Sequence, residues 1–169
     1  MYTIGLDPSL RNWAIVVLED GEAVVAHTIC TDKKDYKGKA AEILFARFQD
    51  IAYNLSVFLD EWPVATIYCE LPTGSQSASS RDSYAGVLAI LAGLQVDVQW
   101  VSATEVKLAA TGNKNATKDD MIAWAFDKHP NARWKLNKEG YPFKHQEHIA
   151  DAFAVVEAGR IKYEHTNKS

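Results

Sequence analysis

Short apolar runs rich in β-branched residues alternate in this chain with longer stretches of helical periodicity. Three apolar runs come first, at Tyr2–Leu6, Asn12–Leu18 and Ala23–Cys30, and their length and composition predict β-strands. The pair Asp20–Gly21 lies between the second and third runs, as is typical of a hairpin turn. The first part of the chain is therefore predicted to be a three-stranded antiparallel meander.

Helical and strand patterns alternate in the rest of the chain. Apolar side chains recur every three or four residues between Lys39 and Glu61, which predicts a helix with one buried face. A fourth strand should end at Glu70, followed by a helix over Asp82–Leu94 and a fifth strand over Val96–Val101. These elements predict an α/β fold with a mixed five-stranded sheet flanked by helices.

Two capping signals divide the last third of the chain. Ser102 followed by Glu105 forms a capping box that begins a short helix. Thr117 is predicted to cap another helix, with Asp120 in its first turn. An irregular stretch over residues 129–144 then precedes a final helix from about Gln146.

Length and composition are those of an ordinary globular protein. The chain has 169 residues, of which 47% are hydrophobic and 24% charged, so we expect one domain spanning residues 1–169. No apolar stretch is long enough to cross a membrane, and Asp7 and Arg11 interrupt the first apolar run, unlike a signal peptide. A cytoplasmic protein is expected, with Cys30 and Cys69 as buried free thiols.

Positive charge is concentrated in one region of an acidic chain. The formal net charge is -4, which gives no global indication of a nucleic-acid partner. The segment from Lys107 to Lys144, however, contains eight basic residues and only four acidic ones. This region is either a solvated face or a surface for phosphates.

Four residues far apart in the sequence are candidates for a metal site. Asp7 and Glu70 each end an apolar strand, where an unpaired carboxylate is costly. His148 and Asp151 are three residues apart in the final predicted helix and so share a face. If that helix lies beside the two strand ends, the four ligands converge and suit Mg²⁺ or Mn²⁺.

Each of these residues also has an ordinary structural interpretation. Asp7 lies in good turn sequence, Glu70 is a candidate partner for Arg11 or Arg81, and the pair on the final helix would suit a solvated stripe. A zinc site that adds His145 is a further alternative, although no cysteine lies nearby to complete it.

Several motifs together resemble the RuvC-type Holliday junction resolvases of the RNase H-like superfamily. They occur in the family's order over nearly the whole chain: Gly5-Leu6-Asp7-Pro8-Ser9, Tyr68-Cys69-Glu70, the helix segment Gly86–Ile90, Ser102–Lys107, Thr111-Gly112-Asn113, Lys118, and His148-Ile149-Ala150-Asp151-Ala152-Phe153-Ala154. The resemblance implies an RNase H-like fold and a dimeric endonuclease. It also implies that Asp7, Glu70, His148 and Asp151 are catalytic metal ligands.

The resemblance further implies that Lys107 and Lys118 contact DNA phosphates near the cut. Two departures from the family pattern stand out: His148 replaces the commoner Asp, and Thr73 stands where well-studied members have an aromatic residue that stacks on bases. The connection from Lys118 to His148 is also longer than usual. Such divergence in a short chain resembles a phage-encoded member, located in the host cytoplasm.

The long connection carries further candidates for binding DNA. Arg133 and Lys135 can hold phosphates, and Trp134 can stack on unpaired bases. The alternative for Trp134 is that it packs the connection onto the rest of the protein.

The resulting hypothesis is an Mg²⁺-dependent endonuclease, in which Mn²⁺ can substitute, that resolves four-way DNA junctions by paired phosphodiester hydrolysis. The alternatives are a broader branched-DNA or RNA–DNA hybrid nuclease, and a junction-binding module without turnover. Paired cuts favour a homodimer, and the helix from Tyr84 to Leu94, with Val87, Leu88 and Leu91, is the candidate interface. Core packing against the sheet is the alternative for that helix.

Overall fold

One five-stranded sheet organises the structure, a computed structural model that describes residues 1–62, 65–71, 77–94 and 96–164. Its strand order is β3-β2-β1-β4-β5. β1 pairs with β2 antiparallel and with β4 parallel, and β5 extends the parallel half. The strands are β1 (Tyr2–Asp7), β2 (Asn12–Glu19), β3 (Glu22–Cys30), β4 (Thr66–Glu70) and β5 (Val98–Val101). The predicted mixed sheet with an antiparallel meander is confirmed.

Helices cover both faces of this sheet. They are α1 (Ala40–Asp60), α2 (Ala78–Gly93), α3 (Ala103–Thr111), α4 (Lys118–Lys128) and α5 (Glu147–Glu164), with short 3₁₀ helices at Lys33–Asp35 and Lys144–Gln146. Both predicted N-caps are confirmed: Ser102 and Glu105 form a capping box, as do Thr117 and Asp120. Because these caps satisfy otherwise unpaired backbone N–H groups, they fix where α3 and α4 begin.

The first hairpin turns at the residues that the sequence indicated. Asp20 and Gly21 both have positive φ, at 49° and 94°, which matches the backbone of a two-residue hairpin turn. The Asp-Gly pair tolerates this conformation better than other residues do.

Alternation along the strands creates two hydrophobic layers. Ile4 and Leu6 of β1 face α1 and α2, where they pack with Ile51 and Leu55. On the opposite face of the sheet, α5 packs against the strands and α3 and α4 pack against α5, with Phe153 of α5 fully buried in this layer. This second layer sets the position of α5 across the centre of the sheet.

Gly5 allows α5 to lie close to β1. A Cβ atom at this position would overlap the carbonyl oxygen of Ala152 and crowd the side chain of Val156. The absence of a side chain at Gly5 therefore lets the helix backbone approach the strand two residues before Asp7.

Two sequence-based expectations need correction. Cys30 is exposed at the end of edge strand β3, and only Cys69 is a buried thiol. Val87 and Leu91 of α2 are 1% and 3% exposed and belong to the protein's own core, so they are not free to form an interface. Leu88 remains 41% exposed.

Among the described residues, no helix is both long and apolar enough to cross a membrane.

Candidate metal centre

Two parallel strands bring Asp7 and Glu70 to the same edge of the sheet. Leu6 pairs with Cys69 in the register between β1 and β4, and each carboxylate is the next residue along its strand. Because the carboxyl ends of adjacent parallel strands point the same way, the two acids lie at neighbouring positions. Both side chains are only partly buried.

The start of α5 brings His148 and Asp151 to this edge. The Nδ1 atom of His148 lies 2.9 Å from the Oδ2 atom of Asp7, a contact between residues 141 positions apart in the chain. The side chains of His148 and Asp7 are 26% and 15% exposed. Phe153 and Val156 of the same helix are buried, with Phe153 stacked on His129 and Val156 next to Gly5 of β1.

Asp7, His148 and Asp151 form a compact group of potential ligands. Each offers one ligand atom, and these atoms lie within 4.8 Å of one another. Glu70 is outside this tight group, but its carboxylate is close enough to interact electrostatically with those of Asp7 and Asp151. The structure thus brings together three of the four predicted ligands and places the fourth beside them.

The carboxylates of this group lack sufficient compensating charge. Burial, and then repulsion by Asp7 and Asp151, raises the pKa of Glu70 to about 8. Burial followed by repulsion from Asp7 raises the pKa of Asp151 to about 7. Two carboxyl groups that resist ionisation at neutral pH, in one partly buried group, mark a site that a cation would stabilise.

His148 responds to the same negative field. Its hydrogen bond with Asp7 raises the pKa of the imidazole, an effect opposed by burial. A ligand nitrogen must be free of its proton, so a metal at this site would compete with the Asp7 contact. Carboxylate oxygens with one imidazole nitrogen fit Mn²⁺ well and Mg²⁺ acceptably.

Lys107 and Lys118 both approach this acidic group. The charge of Lys107 lowers the pKa of Glu70, against the larger effect of burial. Lys118 lies 2.7 Å from a carboxylate oxygen of Glu147 and also interacts with Asp7 and Asp151, so its pKa is raised. The two predicted phosphate contacts therefore lie beside the candidate metal centre.

Glu147 is a site residue that the sequence interpretation missed. Its Oε1 atom lies 3.7 Å from Nε2 of His148, and its partner is Lys118. The available signal was its position next to His148 at the start of the final helix.

The three candidates in the long connection have different surroundings. Arg133 and Lys135 are exposed and line a cleft that His148 also lines. Trp134 is half-buried, packs against Phe126 and Phe153, and donates its indole N–H to the carbonyl oxygen of His129. These contacts favour the packing alternative for Trp134 over stacking on bases.

Two of the alternative interpretations, pairing of Glu70 with Arg11 and a zinc site with His145, find no support among the described residues. Arg11 pairs with Asp32 at 2.9 Å and not with Glu70. His145 stacks on Phe143 with ring centroids 5.4 Å apart and is outside the ligand group found among the described residues. Thr73, where the family's aromatic residue was expected, lies outside the described residues.

Comparison with known proteins supports the fold. No family model matches the sequence, and no curated protein matches it either. Among solved structures, RuvC of Thermus thermophilus in complex with a Holliday junction substrate has a TM-score of 0.72 at 16% identity, over 99% of this chain and 96% of that one. A second Thermus thermophilus RuvC structure has a TM-score of 0.64 at 17% identity, over 99% and 97% of the two chains.

The chain has the RNase H-like fold of RuvC. Both similarities extend over nearly the full length of each chain. The shared fold therefore includes the strand ends and the helix that carry the candidate metal centre, whereas the low identity leaves the function to be argued from the site itself.

Proposed function

We propose that this protein is a divalent-metal-dependent endonuclease that resolves four-way DNA junctions. The observation that carries the proposal is the group of Asp7, His148 and Asp151, with ligand atoms within 4.8 Å of one another and Glu70 beside it. It occurs on a fold shared with a protein solved on a Holliday junction substrate.

The residues of the group have distinct roles in this proposal. Asp7 would bind the metal centrally, because its carboxylate interacts with Glu70, His148 and Asp151. Glu70, His148 and Asp151 would complete the ligand set. Divalent ions bound there, Mg²⁺ or Mn²⁺, would activate a water molecule and stabilise the leaving oxygen of a phosphodiester.

Positive side chains next to the ligands would position the substrate. Lys107 and Lys118 lie at the acidic group without neutralising it, so they can attract a phosphate to its edge. Lys118 is paired with Glu147, and binding of a phosphate would exchange that partner for another anion.

A homodimer would explain paired cuts, because a two-fold axis places one site on each of two symmetric strands. With Val87 and Leu91 in the core, the interface on α2 would use Leu88 and its exposed neighbours. Sedimentation at micromolar concentration is expected to give a dimer. A monomer that still makes paired cuts would contradict this part of the proposal.

The decisive experiment measures cleavage of labelled four-way junction, linear duplex and RNA–DNA hybrid, with and without Mg²⁺. Metal-dependent cutting of the junction in preference to the other two is expected. Preferential cutting of the hybrid would favour an RNase H-type enzyme instead. Tight junction binding without cutting, in Mg²⁺ and in a parallel assay with Mn²⁺, would indicate a binding module.

Asp7→Asn provides the matched variant for this experiment. It should abolish cleavage but keep or strengthen junction binding, since loss of one carboxylate weakens metal binding and also reduces repulsion of phosphates. Cutting by this variant at the wild-type rate would refute the proposed site.

A further inference from the structure

A cleft of about 680 Å³ opens directly beside the candidate metal centre. One wall comes from β3, with His27, and from the loop before β2, with Arg11, and the other wall comes from the connection between α4 and α5, with Arg133 and Lys135. His148 also lines the cleft while its Nδ1 atom contacts Asp7. The cleft is thus continuous with the predicted ligands.

The lining of the cleft carries more basic than acidic residues. Its charged and titratable residues are Arg11, His27, Arg133, Lys135, His145, Glu147 and His148. Glu147 is the one carboxylate among them, and it is paired with Lys118. Arg11 is partly compensated by Asp32, whereas Arg133 and Lys135 have no ion pair among the described residues.

The connection is built so that these two cations face the cleft. Trp134, which lies between them, is anchored by its indole N–H on the carbonyl oxygen of His129 and by its contact with Phe153. The backbone N–H of Lys135 is bound by the side chain of Gln146, a buried residue directly before α5. The backbone of this segment is therefore held relative to α5 by the contacts of Trp134 and by the hydrogen bond to Gln146.

We infer that this cleft holds the sugar–phosphate backbone of the DNA strand that enters the metal centre. The inference rests on the proposed function and assigns Arg133 and Lys135 as two of its phosphate contacts. Spaced cations along an open groove fit a polyanion.

The test compares junction binding by wild type and the double variant Arg133→Ala/Lys135→Ala in EDTA over a salt series, by fluorescence anisotropy. Loss of two phosphate contacts should weaken binding and reduce the slope of log affinity against log salt by roughly 1.4–1.8. The swapped variant Arg133→Lys/Lys135→Arg keeps both charges and should retain most of the wild-type slope. Both residues are exposed, so thermal stability should change little.

A second double variant controls for the change in net charge. Lys128→Ala/Arg160→Ala removes two positive charges whose partners are Glu157 and Glu164, on residues that do not line the cleft. This control should change the salt slope much less than the cleft variant does.

The outcomes separate this inference from the proposed function. If wild type binds and cuts junctions but the cleft variant behaves like the control, the inference is overturned and the proposed function stands. If wild type neither binds nor cuts junctions in Mg²⁺, the proposed function fails and the inference fails with it. If the cleft variant shows the expected reduction in salt slope and the swapped variant keeps most of the wild-type slope, the inference is supported.

Discussion

Replacing Glu70 by Gln should stabilise the metal-free protein while weakening its response to metal. Burial and the carboxylates of Asp7 and Asp151 raise the pKa of Glu70 from 4.5 to about 8. Between these two pH values the folded state binds more protons than the unfolded state does. The free energy of unfolding therefore falls as the pH rises through this window.

The two pKa values set the size of the expected effect. With about 1.4 kcal/mol per pKa unit, the raised pKa of Glu70 lowers the free energy of unfolding of the metal-free protein by roughly 3 kcal/mol at pH 7 and 4–5 kcal/mol at pH 9. At pH 5 the same calculation gives less than about 1 kcal/mol. Gln keeps the shape of the side chain but has no charge, so Glu70→Gln should remove most of this cost.

Thermal unfolding in EDTA at pH 5, 7 and 9 measures this effect. At about 2–4 °C per kcal/mol for a chain of this size, the variant should unfold roughly 6–12 °C above wild type at pH 7, with a smaller difference at pH 5. Added Mg²⁺ or Mn²⁺ should raise the Tm of wild type more than that of the variant, because a ligand that binds the native state stabilises it.

Glu139→Gln is the matched control, since Glu139 is exposed in the connection before α5 and should leave the Tm nearly unchanged at each pH. A Glu70→Gln variant that is less stable than wild type at pH 9 would refute the electrostatic reasoning. A difference in Tm that does not change with pH would refute it equally.

Three further predictions concern the packing and the ligands. Metal affinity should fall as the pH drops through a midpoint above 6.5, since contact with Asp7 raises the pKa of His148. The variant His148→Asp should favour Mg²⁺ over Mn²⁺. Unchanged cleavage rates of His148→Ala in both metals would exclude His148 as a ligand. Trp134→Ala should cost about 2–3 kcal/mol of stability in urea unfolding while its folded fraction binds junctions normally; normal stability with lost junction affinity would instead make Trp134 a DNA contact. Gly5→Ala should lower the free energy of unfolding by about 3 kcal/mol or more, because a Cβ atom there overlaps a carbonyl oxygen of α5. The control Gly93→Ala should not destabilise the protein, since no atom lies within 4 Å of a Cβ at that position. Equal Tm values for the two variants would contradict this packing argument.

The sequence alone determined the elements and much of their order. Local signals act over a few residues, so the Asp20–Gly21 turn and the caps at Ser102 and Thr117 were readable directly. The short apolar runs rich in β-branched residues likewise identified the strands that end at Asp7 and Glu70. These signals sufficed for the mixed sheet and its flanking helices.

Only the tertiary structure decided which of these residues meet. Asp7 and His148 are 141 positions apart, and their contact depends on how closely α5 packs over Gly5. Pairing of Lys118 with Glu147 and the inward position of Val87 arise in the same way, from neighbours distant in sequence. The type of a side chain, hydrophobic or charged, indicates which environment it prefers. The packing of whole helices against the sheet decides which neighbouring residues form that environment.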